Sequence, residues 1–294
     1  MMKNTEFCDL HPIVNLAFFA MVIGFSMIFM HPLALGVSLV GAVCFYIRLR
    51  GRRGVRLLVK LALPVALVTA LINALFNHRG ETVLEKLPNG SPITLESLLY
   101  GLSAAVMMAA VLIWFASFSV VMTSDKLTYL FGRLVPSLSL TLCMTLRFVP
   151  RFIEQFERVR EARLCAGNPA ASSPKGKFKE AFECFSAMTL WSLEGSAETA
   201  DSMKARGFGL RGRTAFAVYR FTPRDVCALI WLAACAALVI TAAALGCFNW
   251  DFFPSVSKLP ENPLSCAVFA AYLAAVLTPI WVDIVEGIRR GAAR

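Results

Sequence analysis

The stretch from Leu98 to Met122 reads Leu-Leu-Tyr-Gly-Leu-Ser-Ala-Ala-Val-Met-Met-Ala-Ala-Val-Leu-Ile-Trp-Phe-Ala-Ser-Phe-Ser-Val-Val-Met and contains no charged residue. A helix needs about 20 such residues to cross the hydrocarbon core of a bilayer. The whole chain of 294 residues is 57% hydrophobic and only 16% charged, whereas a soluble domain carries about 25% charged residues. This composition excludes an ordinary cytosolic enzyme and predicts an all-α, polytopic membrane protein.

Five further apolar runs bring the prediction to about six transmembrane helices. They are Ile13–Met30, Leu33–Ile47, Val55–Phe76, Val226–Cys247 and Leu264–Val285. The run Leu33–Ile47 is short, and it reaches full length only if Arg48 and Arg50 extend their charged ends to the membrane surface. We therefore expect four spans within residues 1–123, two spans and a basic tail within residues 225–294, and a different kind of region between them.

The positions of lysine and arginine predict the orientation of these spans. The link Arg48–Lys60 holds six basic residues and no acidic one, and the C-terminal tail holds Arg289, Arg290 and Arg294. The loops Asn77–Ser97 and Phe248–Pro263 each carry more acidic than basic residues. Cytoplasmic loops are enriched in lysine and arginine, so both termini and residues 124–224 are predicted to be cytoplasmic.

Residues 124–224 contain long amphipathic helices rather than spans. We predict one such helix at Arg151–Gly167 and a second from about Lys177 to Arg206, and we interpret Pro136 and Pro150 as breaks or first turns. One stripe of the second helix carries large apolar residues: Phe178, Phe182, Phe185, Met188 and Trp191. Its later half carries small residues that would let two helices cross closely: Ser192, Gly195, Ser196, Thr199 and Ala200.

Patterns for catalysis are missing from the sequence. The histidines His11, His31 and His78 lie at the ends of spans, the nine cysteines form no metal-binding pattern, and no phosphate-binding loop occurs. An ion-coupled carrier would require ionisable residues near the middle of its spans. The predicted spans contain hardly any. We therefore predict no catalytic residue, no metal site and no cofactor, and we expect any ATP hydrolysis to occur on partner chains.

Ala205-Arg206-Gly207 closes the second amphipathic helix. On pattern alone this is a helix stop, because an arginine in the last turn suits the negative end of the helix dipole and a glycine supplies a left-handed cap. Other short segments precede and follow it in a fixed order. They are His11-Pro12, Pro32–Leu35, Thr123–Leu127, Leu146–Pro150, Arg213-Thr214 and Asp225. In this order the chain resembles the transmembrane T component of energy-coupling factor (ECF) transporters, which are ABC importers of prokaryotes.

The resemblance implies a multi-pass, non-catalytic scaffold in the prokaryotic cell membrane, with residues 124–224 as its coupling-helix region. Its partners would be two ABC ATPase subunits, a substrate-binding S component for vitamin or metal-ion uptake such as cobalt, and the lipid bilayer, with no nucleic acid. In this family each of two coupling helices ends in an Ala-Arg-Gly-like motif that docks into an ATPase. Ala205, Arg206 and Gly207 match that motif.

The first motif is degenerate in this chain, which reads Cys165-Ala166-Gly167 without the arginine. Arg163, one turn upstream of Ala166 and Gly167, is the candidate replacement. The aromatic stripe from Phe178 to Trp191 is expected to contact the S component or the neighbouring coupling helix. The transported nutrient is not specified, because specificity would lie on another chain.

Two other classes of membrane protein remain as alternatives to an ECF T component. Glu161-Ala162-Arg163-x-x-x-Gly167 loosely matches the coupling loop of ordinary ABC importer permeases, although the downstream half of that loop is missing. Such a permease, or a self-contained secondary carrier, would line its own substrate path. An integral membrane enzyme would instead need clustered His, Asp or Glu at matching depths, and the sequence shows no such cluster.

Overall fold

The computed structural model describes residues 6–77, 80, 82–86, 92–134, 136–167, 173–210, 219–246, 248, 250, 252 and 263–292. Within them, a 3-10 helix at Glu6–Asp9 precedes a series of α-helices and one antiparallel β-hairpin. The helices are α1 (Pro12–Ile28), α2 (Pro32–Arg50), α3 (Arg52–Phe76), α4 (Leu95–Val121), α5 (Ser124–Leu134), α6 (Pro136–Cys165), α7 (Pro174–Ala205), α8 (Pro223–Ala244), α9 (Pro263–Val276) and α10 (Thr278–Ala292). The strands are β1 (Val83–Lys86) and β2 (Pro92–Thr94). His78, Arg213, Thr214 and Arg294 lie outside the described residues.

The chain forms two compact units. One contains residues 1–123 together with 219–294, and the other contains residues 124–218. Of the described helices, α2, α4 and α8 are each long and apolar enough to cross a membrane. The bent pair α9 and α10 adds a fourth if it is one span, while α1 and the Ala62–Asn73 part of α3 are shorter apolar helices. The prediction of an all-α, polytopic membrane protein is confirmed.

The last predicted span, Leu264–Val285, is not one continuous helix as expected. It bends by 60° between Val276 and Thr278. Pro279 has no N–H to donate to the carbonyl of Ala275, and the Thr278 hydroxyl donates to that carbonyl instead at 2.7 Å. A local side-chain hydrogen bond thus replaces the missing backbone bond at the bend.

Two His-Pro pairs start the first two helices in the same way. The Nδ1 atom of His11 accepts from the N–H of Ile13 at 3.3 Å, and the Nδ1 atom of His31 accepts from the N–H of Leu33 at 3.2 Å. Each histidine therefore serves as an N-cap, and the proline that follows occupies the first turn, where its missing N–H costs nothing.

The N-terminal 3-10 helix is part of the core of the first unit. Phe7 is fully buried, with its ring centroid 5.2 Å from that of Phe18 and 5.7 Å from that of Phe45. Two buried carboxylates hold the backbone around it: Asp283 accepts from the N–H of Phe7 at 3.1 Å, and Asp225 accepts from the N–H of His11 at 2.9 Å. Residues far apart in sequence thus anchor the N-terminus.

A buried polar chain joins α1, α2, α4 and α9. The hydroxyls of Ser26 and Ser38 lie 2.6 Å apart, the indole N–H of Trp114 donates to Ser38 at 3.1 Å, and Tyr272 lies 3.5 Å from Ser26. These hydroxyl and indole groups hydrogen-bond to one another, because a buried polar group without a hydrogen-bond partner would be destabilising.

Helix α2 packs against the end of α9 at a glycine, Gly41. A Cβ atom at Gly41 would lie 2.1 Å from Cγ1 of Val276. The Val276 side chain therefore occupies the space that a side chain at position 41 would need.

Candidate functional site

The unit of residues 124–218 is built from α5, α6 and α7. The last two are 30 and 32 residues long. Arg163, near the end of α6, bonds Glu183 in the first part of α7, whereas Phe152, earlier in α6, contacts Trp191 further along α7. Since later positions in one helix meet earlier positions in the other, α6 and α7 form an antiparallel hairpin. Their C-terminal ends therefore point in opposite directions.

Helix α6 is longer than the predicted Arg151–Gly167 helix. It begins at Pro136, which occupies the expected first turn, and it continues through Pro150 without ending. The interpretation of Pro150 as a break or first turn was therefore wrong. A proline removes one backbone hydrogen bond from the helix interior, and the turns on either side continue the helix here.

Arg163 binds α7 rather than extending from the end of α6. Its guanidinium donates to Glu183 at 2.5 Å, to the carbonyl of Glu180 at 2.8 Å and to Sγ of Cys184 at 3.4 Å. The hydrogen bond to Cys184 and the carboxylate of Glu183 raise the pKa of Arg163 above its ordinary value. Arg163 thus joins α6 to α7 through charged hydrogen bonds.

Trp191 forms the second contact of the hairpin. Its ring meets that of Phe152 edge to face at 5.5 Å, and the guanidinium of Arg151 lies 5.4 Å from the Trp191 ring centroid. Such aromatic and cation–π contacts each stabilise a structure by about 1 kcal/mol. Trp191 therefore belongs to the helix contact rather than to the exposed surface.

The C-terminus of α7 is capped by Gly207 in the left-handed conformation, with φ of 76°. The N–H of Gly207 donates to the carbonyl of Lys204 at 2.9 Å. The N–H of Phe208 donates to the carbonyl of Met203 at 3.0 Å. These two bonds form a Schellman motif, which leaves the exposed Arg206 as the last residue before the chain turns.

The C-terminus of α6 has the same geometry. Gly167 has φ of 84°, and its N–H donates to the carbonyl of Leu164 at 3.2 Å. Ala166 therefore occupies the position that Arg206 occupies in α7, whereas Arg163 lies one turn earlier with its side chain on α7.

Open space lies between α6 and α7 beyond Trp191. A cavity of about 510 Å³ borders a larger one of about 1270 Å³, which extends to the end of α7. Five charged side chains line the larger cavity: Arg147, Arg151, Glu154, Glu198 and Arg206. Phe148 and Met203 supply apolar surface to both cavities. Arg206 thus stands beside a large groove with mixed apolar and charged walls.

The small residues of α7 do not form a close helix crossing within the described part of this unit. Ser192, Gly195, Ser196, Thr199 and Ala200 line the smaller cavity, and a Cβ atom added at Gly195 would meet nothing within 4 Å. The prediction that these residues allow a close helix crossing therefore stays a prediction, since α6 does not fill the space beside Gly195.

The stripe predicted on α7 divides into two groups. Phe178, Phe182 and Phe185 are 76%, 65% and 67% exposed. Met188 is buried and Trp191 is partly buried against α6. The residues of the predicted stripe are three or four positions apart, whereas one helical turn takes 3.6 residues. The later members therefore lie on a different face of the helix from the first three.

Sequence reasoning missed Cys184 and Phe152 as hairpin contacts. Cys184 is buried and accepts from Arg163, and Phe152 packs on Trp191. An apolar helix face predicts that the face is covered, but it does not predict which positions of a second helix cover it. Among the described residues, no group of three or more His, Cys, Asp or Glu side chains could hold a metal ion.

The fold comprises one apolar helical unit, typical of a membrane protein, and a second unit that contains a hairpin of two long helices. The profile of the CbiQ family, described as cobalt transport protein, matches residues 7–216. The chain belongs to this family, which is the family of ECF transporter T components. It is a membrane component of a transport system. A search of curated proteins found no significant match.

Proposed function

We propose that this chain is the scaffold and coupling subunit of an ECF-type ABC importer. In this proposal two ATPase subunits hydrolyse ATP, an S component binds a vitamin or a metal ion, and the α6–α7 hairpin transmits motion between them. The observation that carries the proposal is the hairpin itself: it exposes an aromatic face and ends in an exposed, glycine-capped arginine, and it belongs to a chain of a transport family.

The aromatic face of α7 fits a protein partner. Phe178, Phe182 and Phe185 each leave more than half of their surface uncovered within the chain. Large apolar side chains grouped on one surface mark interaction sites, and aromatic residues dominate the binding energy of such surfaces. We assign this face to the S component.

Arg206 fits a docking contact with an ATPase subunit. Among the described residues it makes no ion pair, whereas Arg163 is paired within the hairpin. An arginine at a helix end beside a groove can donate two parallel hydrogen bonds to a carboxylate of a partner. We therefore propose one arginine-anchored ATPase contact at Gly207 and a weaker one at Gly167.

The proposal assigns no chemistry to this chain. ATP hydrolysis takes place on the partner chains, and substrate selection takes place on the S component. We place the chain in the prokaryotic plasma membrane with both termini and the hairpin in the cytoplasm, since the basic link Arg48–Lys60 and the basic tail would then both face inward. A single cysteine at Lys175 should be labelled by a membrane-impermeant reagent only after the cells are opened.

Co-expression with candidate ATPase and S-component genes tests the proposal. The purified chain alone should hydrolyse no ATP, and the assembled complex should. Phe185→Ala should weaken co-purification of the S component while the ATPases stay bound. Leu190→Ala is the matched control, because Leu190 is 71% exposed and lies about 140° around the helix from Phe185. ATPase activity of the single chain, or equal effects of the two variants, would refute the assignment.

A further inference from the structure

One exposed face of α3 carries basic residues at its start and leucines along the rest. Arg56 and Lys60 lie one turn apart, and Leu63, Leu67 and Leu71 follow at the spacing that keeps residues on the same side of a helix. Both basic side chains are exposed, and the three leucines are 58%, 62% and 55% exposed. These five residues form a basic–apolar stripe, in which a doubly charged end continues directly into uncovered apolar surface.

The helices that pack against α3 bring no acidic residue to its basic end. Helix α3 packs mainly against α4 and α2. Neither α2 nor α3 contains Asp or Glu, and α4 contains one, Glu96, in its first turn. The hydroxyl of Ser97 donates to the carbonyl of Asn73 at 3.2 Å, so the start of α4 lies beside the end of α3. This position is about 26 Å along the helix axis from Arg56.

The other acids on helices of this unit lie on the N-terminal 3-10 helix, α8 and α10: Glu6, Asp9, Asp225, Asp283 and Glu286. These elements pack mainly against α1, α9 and one another. Asp283 also lies 3.9 Å from Arg48 at the end of α2, so Arg48 is paired and is not part of the stripe. Asp125, the next acid after α4, belongs to the unit of residues 124–218. Among the described residues, the two basic residues of the stripe are in no ion pair, and their positive charge is uncompensated.

The stripe has the length of one half of a bilayer. At 1.5 Å per residue, Lys60 and Leu71 are about 16 Å apart along the helix axis, and half of the hydrocarbon core of a bilayer is about 15 Å. An acyl chain along the three leucines would therefore begin beside Lys60, where the headgroup of the same lipid would meet the two basic side chains. Clusters of about four to eight basic residues beside an apolar helix bind anionic lipids, and residues 50–60 contain five basic residues and no acid.

We propose that the basic–apolar stripe of α3 binds one anionic phospholipid. The headgroup phosphate accepts hydrogen bonds from Arg56 and Lys60, and an acyl chain lies on Leu63, Leu67 and Leu71. An arginine offers a phosphate two parallel N–H donors, and a lysine adds a compact charge. Each basic residue near the membrane surface strengthens the binding of an anionic lipid about fivefold. This site is separate from the coupling role proposed above, because lipid binding by the purified chain needs no partner subunit.

The test uses the full-length chain, purified in detergent, stripped of lipid and examined by native mass spectrometry. Phosphatidylglycerol and phosphatidylcholine with identical acyl chains are added in turn, and we expect the first phosphatidylglycerol to bind more tightly than phosphatidylcholine. Arg56→Gln and Lys60→Gln should each lower the affinity for phosphatidylglycerol about fivefold, and the double variant should lower it about 25-fold. The affinity for phosphatidylcholine should change little. Arg220→Gln is the matched control, because Arg220 is also exposed and precedes α8.

A charge-preserving variant separates loss of charge from damage to the helix. Lys60→Arg should keep the preference for phosphatidylglycerol, and the proposal fails if this variant loses it as Lys60→Gln does. Equal affinity of the parent chain for the two lipids would overturn the proposal. An effect of Arg220→Gln as large as that of Arg56→Gln would overturn it as well. Glycerol 3-phosphate carries the phosphate without acyl chains and should not compete. Competition at the potency of phosphatidylglycerol would assign a free-phosphate site and exclude the lipid.

Discussion

Gly167 and Gly207 end the two long helices in the same left-handed conformation, but different residues precede them. Ala166 stands before Gly167 and Arg206 stands before Gly207. Each glycine donates its N–H to the carbonyl three residues earlier. The two helix ends are thus alike in backbone and unlike in charge, which makes the proposed ATPase contacts unequal.

Gly207→Ala should destabilise the end of α7. An L-residue in the left-handed region costs about 1 kcal/mol or more, and the added Cβ would lie 3.1 Å from Cδ1 of Leu210. We expect faster amide hydrogen exchange in the last turn of α7. Gly195→Ala is the control, because its added Cβ meets nothing and alanine favours a helix. Equal exchange in the two variants would show that the left-handed cap contributes nothing.

Arg163→Ala should loosen the α6–α7 hairpin. The change removes the guanidinium that joins Glu183, Cys184 and the carbonyl of Glu180. We expect increased proteolysis and hydrogen exchange around Cys184, with a smaller effect on partner binding than Arg206→Ala. Arg160→Ala serves as a control, since its contact with Glu180 is longer, at 3.9 Å, and more exposed. Unchanged exchange together with complete loss of one ATPase would make Arg163 the substitute anchor instead.

The helices were more predictable from sequence than the contacts between them. The apolar runs are long, so five of the six predicted spans each lie largely on a single helix, whereas Leu264–Val285 is divided between α9 and α10. The bend at Leu277 was missed because it lies where Pro279 has no N–H to donate and the Thr278 hydroxyl bonds the carbonyl of Ala275 instead. The hairpin contact between Arg163 and Glu183 was also missed, since a pairing between two helices depends on their relative rotation. By contrast, the cap at Gly207 follows from local chemistry and was predicted from the sequence.

Gly41→Ala should strongly destabilise the membrane bundle. The new Cβ would overlap Cγ1 of Val276, and overpacking of this kind costs about 1–3 kcal/mol. Thermal unfolding in detergent should occur at a lower temperature. Gly36→Ala, on the same helix with open space around it, should change little. Adding Val276→Ala to Gly41→Ala should restore part of the stability, and failure of this rescue would show that the two helices do not meet as described.

Stability should fall as the pH drops below the ordinary pKa of histidine. His31 is buried against Trp250 and Phe269, and burial lowers its pKa in the folded state. The unfolded chain therefore binds a proton more readily, so the stabilisation is complete above about pH 6.5 and is lost as the pH falls toward the folded-state pKa. His31→Asn keeps an oxygen that can cap α2 and removes the titration. The variant should flatten the pH dependence of thermal unfolding between pH 5 and about 7, and an unchanged pH profile would exclude His31 as its source.

The most direct test of the coupling role is the amount of ATPase that co-purifies with the Arg206→Ala variant. Loss of a buried, charge-assisted contact costs about 2–5 kcal/mol, because the partner group is left unpaired. We predict that Arg206→Ala loses ATPase subunits and transport, and that Arg206→Lys restores little, since an ammonium lacks the planar fork of arginine. Lys204→Ala, an exposed change in the same turn of α7, should assemble normally. If Arg206→Ala binds its ATPases and transports as well as Lys204→Ala, then Ala205-Arg206-Gly207 is only a helix stop and the proposed coupling contact does not exist.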